Sequence, residues 1–115
     1  MADNKSYKVK GRIWIEINDE AFIGEGKAVL LKKTAELGSL RKAAAELNIS
    51  YRKAWYGINK MNKAAESPVI ILKHGGHRGG IAEITPFGEE VLKKFEIIEK
   101  EFHAFLNDKT KELKF

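Results

Sequence analysis

The 115-residue chain contains no cysteine. That excludes disulfide staples and thiolate metal sites, and it makes a reducing cytoplasm the expected location. No apolar run approaches the roughly 20 residues that a membrane span requires. The opening stretch MADNKSYKVKGR also lacks the apolar core of a signal peptide. Neither membrane insertion nor secretion is expected. There are only two prolines, Pro68 and Pro86, and no internal repeat or low-complexity linker.

Catalytic and ligand motifs are equally scarce. The stretch GEGKAVLL carries a Gly-Lys pair, but a P-loop needs Ser or Thr after the lysine to place a hydroxyl on magnesium, and here Ala28 follows Lys27. His74 and His77 in HGGHRGG lack a nearby third ligand, so no metal site is expected. No Ser and His pairing has the spacing for nucleophilic work, and no carboxylate pair sits in an evident cleft. The chain reads as a non-enzyme.

What is present is charge, unevenly spread. Hydrophobic residues at 43% and charged residues at 32% describe an ordinary globular protein, sized for one domain over 1–115. Lys and Arg against Asp and Glu number four to five over 1–26, eleven to three over 27–80, and six to eight over 81–115. The net +5 therefore comes from a central block of +8. A basic block made largely of helix formers suits a polyanion, although Lys-rich helices are also commonly just solvated faces.

Hydrophobic patterning lays out the elements. YKVKGRIWIEI alternates with period two, placing Val9, Gly11, Ile13, Ile15 and Ile17 on the buried face of a strand. GKAVLLKKTAELG follows as an amphipathic helix with Val29, Leu30, Lys33 and Leu37 marking its face, and Gly38 ends it. Ser39 caps a second helix, LRKAAAELN, which Asn48 ends because Asn tolerates left-handed backbone angles. Ser50 caps a third helix, which Ser67-Pro68 stops near Glu66. VIILKH and IAEIT form a hairpin around GGHRGG. Thr85-Pro86 then starts a last helix running to about Asn107. Helices two and three are joined by three residues only. The expected fold is therefore mainly α: a helix-turn-helix over 39–66, a β-hairpin wing over 69–85 and a long C-terminal helix over 86–107.

The third helix has two faces at 100° per residue. Tyr51, Ala54, Trp55, Ile58, Met61 and Asn62 fall on one, which should pack against the protein beside Ala43, Ala44 and Ala45. Arg52, Lys53, Tyr56, Asn59, Lys60 and Lys63 fall on the other. These are long donors and an aromatic hydroxyl, groups that reach base edges and phosphate oxygens in a major groove.

The last helix carries a heptad-like seam, Val91, Phe95, Ile98, Phe102 and Phe105, at intervals of 4, 3, 4 and 3. Part of it must cover the domain's own core. The seam as a whole, Val91, Phe95, Ile98, Phe102 and Phe105, nevertheless reads as a dimer interface between two copies.

The run TAELGSLRKAAAELNISYRKAWYGINKMN, the tip GGHRGG and the segment AEITPFGEEVL together resemble the N-terminal DNA-binding domain of the ModE family, molybdate-dependent regulators within the LysR-like winged-helix group. The resemblance covers roughly residues 10 to 100. It implies a transcription factor that binds double-stranded DNA, at a palindromic operator, as a homodimer. By position it places Ser39 and Arg41 at the start of the positioning helix, Ser50, Tyr51, Arg52, Lys53 and Tyr56 on the recognition helix, and His77 and Arg78 at the wing tip. In full-length members molybdate is sensed by oxyanion-binding domains after the winged helix. No such domain follows in these 115 residues, so no cofactor is expected here. Two other readings fit the same pattern: a winged-helix module that binds another protein, and a protein that coats DNA without sequence preference.

Overall fold

A computed structural model describes residues 5–73 and 80–115. The first surprise lies before the first helix. Only Trp14–Ile17 of the expected long strand forms one (β1), and it turns back into a second strand, Glu20–Gly24 (β2), that the sequence pattern did not announce. Asn18 and Asp19 make the turn, both with positive φ, at 51° and 69°. That is the conformation of a two-residue turn matched to the twist of a hairpin. Ile13, Ile15 and Ile17 are half-buried as the alternation requires.

Residues 5–13 instead run as an irregular strap along the last helix, α4, Pro86–Glu112. The Val9 amide donates to Thr110 Oγ1 at 2.9 Å, and the Tyr7 ring meets Phe115 edge-on at 5.2 Å. Gly11 sits so close to Phe102 that a Cβ there would lie 2.9 Å from the ring. Helix α4 extends five residues beyond the expected end near Asn107, and Val9 on Thr110 is one of the contacts that hold this extension.

The helices begin and end where local chemistry directs. Helix α1, Glu25–Leu37, closes at Gly38, whose φ of 64° is left-handed and whose amide donates to the Thr34 carbonyl. Ser39 Oγ accepts from the Lys42 amide to cap α2, Leu40–Glu46, and Ser50 Oγ accepts from the Lys53 amide to cap α3, Tyr51–Ala64. Asn48 makes the turn between them with φ 58°. The hairpin strands β3, Ile70–Lys73, and β4, Ile81–Ile84, pair antiparallel, and the Ala82 amide donates to the Gly38 carbonyl, tying the hairpin to the α1–α2 corner. The fold is a mainly α winged helix.

Two close approaches fix the hairpin against the helices. Thr85 caps α4 through the Gly88 amide while its hydroxyl donates to the Pro68 carbonyl, and a Cβ on Gly88 would overlap the Val69 carbonyl. Only glycine allows the first turn of α4 to lie directly on this backbone. On the other side, Asn62 of α3 accepts from the Val69 amide at 2.8 Å and donates to the Ile70 carbonyl at 2.9 Å.

The core gathers Ile23 from β2, Leu31 from α1, Ala43 from α2, Ala54, Ile58 and Met61 from α3, Val69 and Ile70 at β3, and Phe95 from α4, all essentially inaccessible. Helix α1 turns inward a face only partly the expected one, with Leu30 buried as expected and Val29 and Leu37 not. Ala28, Leu30, Leu31 and Thr34 are buried against the surrounding elements, while Val29 and Leu37 stay largely exposed, Val29 on the wall of an open groove. Thr34 is accommodated by donating its hydroxyl to the Leu30 carbonyl at 2.6 Å.

Candidate nucleic-acid interface

Helix α3 divides as its sequence dictates. Ala54, Ile58 and Met61 are fully buried, whereas Arg52, Lys53, Tyr56, Lys60 and Lys63 are exposed, Tyr56 at 64%. The single residue out of place is Trp55, 39% exposed despite its assignment to the packed face. At 40° from Tyr51 on the wheel it stands at the edge of the apolar arc, beside the polar boundary at Asn59, and its indole is left half-covered.

The exposed face has two different borders. On one edge stand Tyr51, Trp55 and Asn62, the last bonded to Val69 and Ile70 at the hairpin. Arg41 of α2 lays its guanidinium over the Tyr51 ring, 4.4 Å from its centroid, beside a small cleft shared with Lys73, Ile81 and Ala82 at the base of the hairpin. This stacking fixes the direction of a side chain that would otherwise be freely mobile. On the opposite edge Gly57 faces Leu30 of α1, and Lys53 and Lys60 open onto a groove of about 830 Å³ that also takes in Lys27, Arg12, Trp14 and Phe102.

Ser39 and Ser50 use their Oγ atoms as cap acceptors, leaving each hydroxyl proton free to donate outward. His77 and Arg78, expected at the wing tip, lie outside the described residues. Lys27 was missed by the sequence reading as anything but a failed P-loop. Its ammonium is held below the usual lysine range by partial burial and then by the nearby positive charge of Lys60. Among the described residues Lys27, Lys53, Lys60 and Lys63 have no carboxylate within salt-bridge distance. Nor do three His, Asp or Glu side chains converge there in a way that would hold a metal ion.

Phe95, placed on the expected dimer seam, is fully buried in the domain's own core, and Val91 packs against that core as well. Phe102 is half-covered by the strap at Gly11. Only Ile98, at 47%, and Phe105, at 53%, remain substantially exposed from the seam. A heptad pattern identifies a face of a helix but not what covers it, and here the domain's own core and the strap cover most of it.

No protein-family model matches the chain. Individual relatives do. The chain is 32% identical over 92 residues to the transcriptional regulator ModE of Haemophilus influenzae, a match covering 79% of this chain and 36% of that protein. The chain belongs to the ModE family. It is also 30% identical over 84 residues to the DNA-binding transcriptional dual regulator ModE of Escherichia coli K12, covering 73% and 32% of the two chains. The molybdenum-pterin-binding protein MopB of Rhodobacter capsulatus is 37% identical over 79 residues, covering 69% and 29%. The chain thus spans about a third of the length of these ModE-family relatives. What their names say of molybdenum describes those proteins. No helix among the described residues is long and apolar enough to cross a membrane.

Proposed function

We propose that this chain is the DNA-binding part of a transcriptional regulator, acting as a homodimer on a palindromic site with α3 in the major groove. The carrying observation is the division of α3: five long polar or cationic side chains are exposed together on a helix whose other side is locked into the core. The relatives' names as regulators agree with it. Arg52 and Tyr56 lie near the helix N-terminus, where side chains reach base edges, and Lys60 and Lys63 lie where phosphates pass. Arg41, aimed by Tyr51, and the hydroxyls of Ser39 and Ser50 supply further backbone contacts. No cofactor is part of the proposal.

The dimer contact is assigned to the exposed part of α4 around Ile98 and Phe105, replacing the longer seam expected from the heptad spacing. Two copies would present their α3 helices to half-sites about 34 Å apart.

Selection of bound duplexes from random sequence tests the reading. A palindromic consensus is the expected outcome, and Arg52→Ala should then cost about 1–3 kcal/mol on it while relaxing preference at the contacted position. Equal loss on the selected and a random duplex would remove Arg52 from base readout, and a flat selection would sink the regulator.

A further inference from the structure

An α-helix lying in a major groove about 12 Å wide has a phosphate backbone on each side. In this protein the two borders of α3 are built from different elements. The hairpin border offers Arg41, stacked on Tyr51, and Lys73. The other border is formed by the first turns of α1, where Gly57 of α3 packs against Leu30. The only cation that α1 turns toward this border is Lys27, which lines the same groove as Lys53, Tyr56 and Lys60.

Building on the DNA-binding reading, we propose that Lys27 is a DNA-backbone contact, acting with Lys60 to grip the phosphate strand on the side of α3 away from the hairpin. Lys27 and Lys60 stand on separate helices and line the same groove, where the charge of Lys60 adds to burial in lowering the pKa of Lys27. Neither has an acidic partner within salt-bridge distance among the described residues. Two ammonium groups lining one groove without a counter-charge repel in the free protein. A phosphate between them converts that repulsion into two attractions and releases condensed counterions from the DNA. The acidic groups lining the same groove are Glu25 and Glu99, neither of which makes an ion pair with Lys27 or Lys60. The partly buried position of Lys27 adds to its use as a contact. Its stem is already ordered by neighbours, so less side-chain freedom remains to be lost on binding than for the exposed lysines.

The role is sequence-independent, and this separates it from Arg52. The test titrates the full chain with a selected duplex and a random duplex across a range of salt concentrations, comparing the parent with Lys27→Gln, Lys27→Arg, Lys60→Gln and the double Gln variant. Thermal melting serves as the folding control. Lys27→Gln is expected to weaken both duplexes by a similar factor and to reduce the slope of log affinity against log salt by about 0.9, the value of one phosphate contact. Lys27→Arg should restore both. The double variant should lose less than the two single losses multiplied, because the two lysines share one phosphate strand. Unchanged affinity and slope for Lys27→Gln would overturn the assignment, as would tighter binding, or a loss confined to the selected duplex. If the parent itself binds no duplex, the DNA-binding reading fails instead, and a Lys60→Gln loss beside a silent Lys27→Gln leaves that reading standing while removing Lys27 from it.

Discussion

Asn62→Ala tests whether α3 and the hairpin act as one body. The Asn62 amide accepts from the Val69 N–H at 2.8 Å and donates to the Ile70 carbonyl at 2.9 Å, with a longer contact of 3.4 Å from the Ile70 N–H. Val69 and Ile70 are themselves buried. Truncation therefore removes two good hydrogen bonds and leaves a buried N–H without its acceptor, which together cost about 1–3 kcal/mol. For a domain of this size that corresponds to a fall in melting midpoint of about 4 to 12 °C. Asn62→Asp keeps the acceptor for Val69 but sets a carboxylate against the Ile70 carbonyl, so it should not rescue the loss. Differential scanning calorimetry measures the midpoints. Duplex titration at 20 °C, well below the transition, then reads whether the hairpin still sits correctly beside α3, and weaker binding by the folded variant is expected. A midpoint within about 1 °C of the parent would show that these bonds contribute nothing net. A large stability loss with full DNA affinity would show that hairpin placement does not matter for binding.

Other perturbations reach different parts of the fold. Gly88→Ala forces a methyl into the Val69 carbonyl and against Ile84; destabilisation by about 1–3 kcal/mol or more is expected in urea unfolding, and a neutral result would mean that α4 shifts without cost. Lys60→Gln should raise the pKa of Lys27 toward 10.5 without reaching it, since burial, the larger cause of its depression, remains; an NMR titration of the Lys27 side chain that does not move would refute the coupling. The sign for stability follows. Because the folded pKa lies below the unfolded one, the charged Lys27 opposes folding at neutral pH, and this is relieved as pH rises through the lowered pKa toward 10.5. Ile98→Glu with Phe105→Glu should yield a folded monomer in sedimentation, with weakened binding to a palindrome and residual salt-sensitive binding to any duplex; a mutant still dimeric would move the contact elsewhere.

Which parts of this architecture could be read from the sequence follows from the range of the forces involved. Ser39, Ser50 and Thr85 each satisfy helix amides three residues on, and Gly38 and Asn48 adopt left-handed angles that few other residues tolerate. Such signals are local, so the helix-turn-helix and the start of α4 were legible. The division of α3 was legible as well, because six apolar-side and six polar-side residues leave little freedom in a helix of 14 residues. Strand β2 was not. Its five residues fill the short gap between an Asn-Asp turn and the start of α1, too few to show a period of their own, and its pairing with β1 is a tertiary fact. The position of Lys27 against Lys60 joins residues 33 apart in the chain, and no spacing rule within one helix reports it.

The fate of α4 shows how far a periodic pattern can be trusted. Its repeat places Val91, Phe95, Ile98, Phe102 and Phe105 near one side, and that side is indeed mostly covered, but by the chain itself. Phe95 enters the core between the helices. Phe102 closes on Gly11, and Leu106, outside the seam, is buried beside it. The strap is possible because Gly11 has no side chain to keep the backbone away from the Phe102 ring. Ile98 and Phe105 lie on the flank of this covered stripe, seven residues and about 10 Å apart along the axis. A contact of that length alone is short against the roughly 800 Å² per partner of a stable interface. A dimer centred there must therefore also use surfaces next to α4, and the exposed Trp14 on the rim of the groove, together with the strap, is the nearest such surface. In that arrangement the strap both covers Phe102 within one copy and borders the contact with the other, so its packing on α4 and the pairing of two copies are coupled.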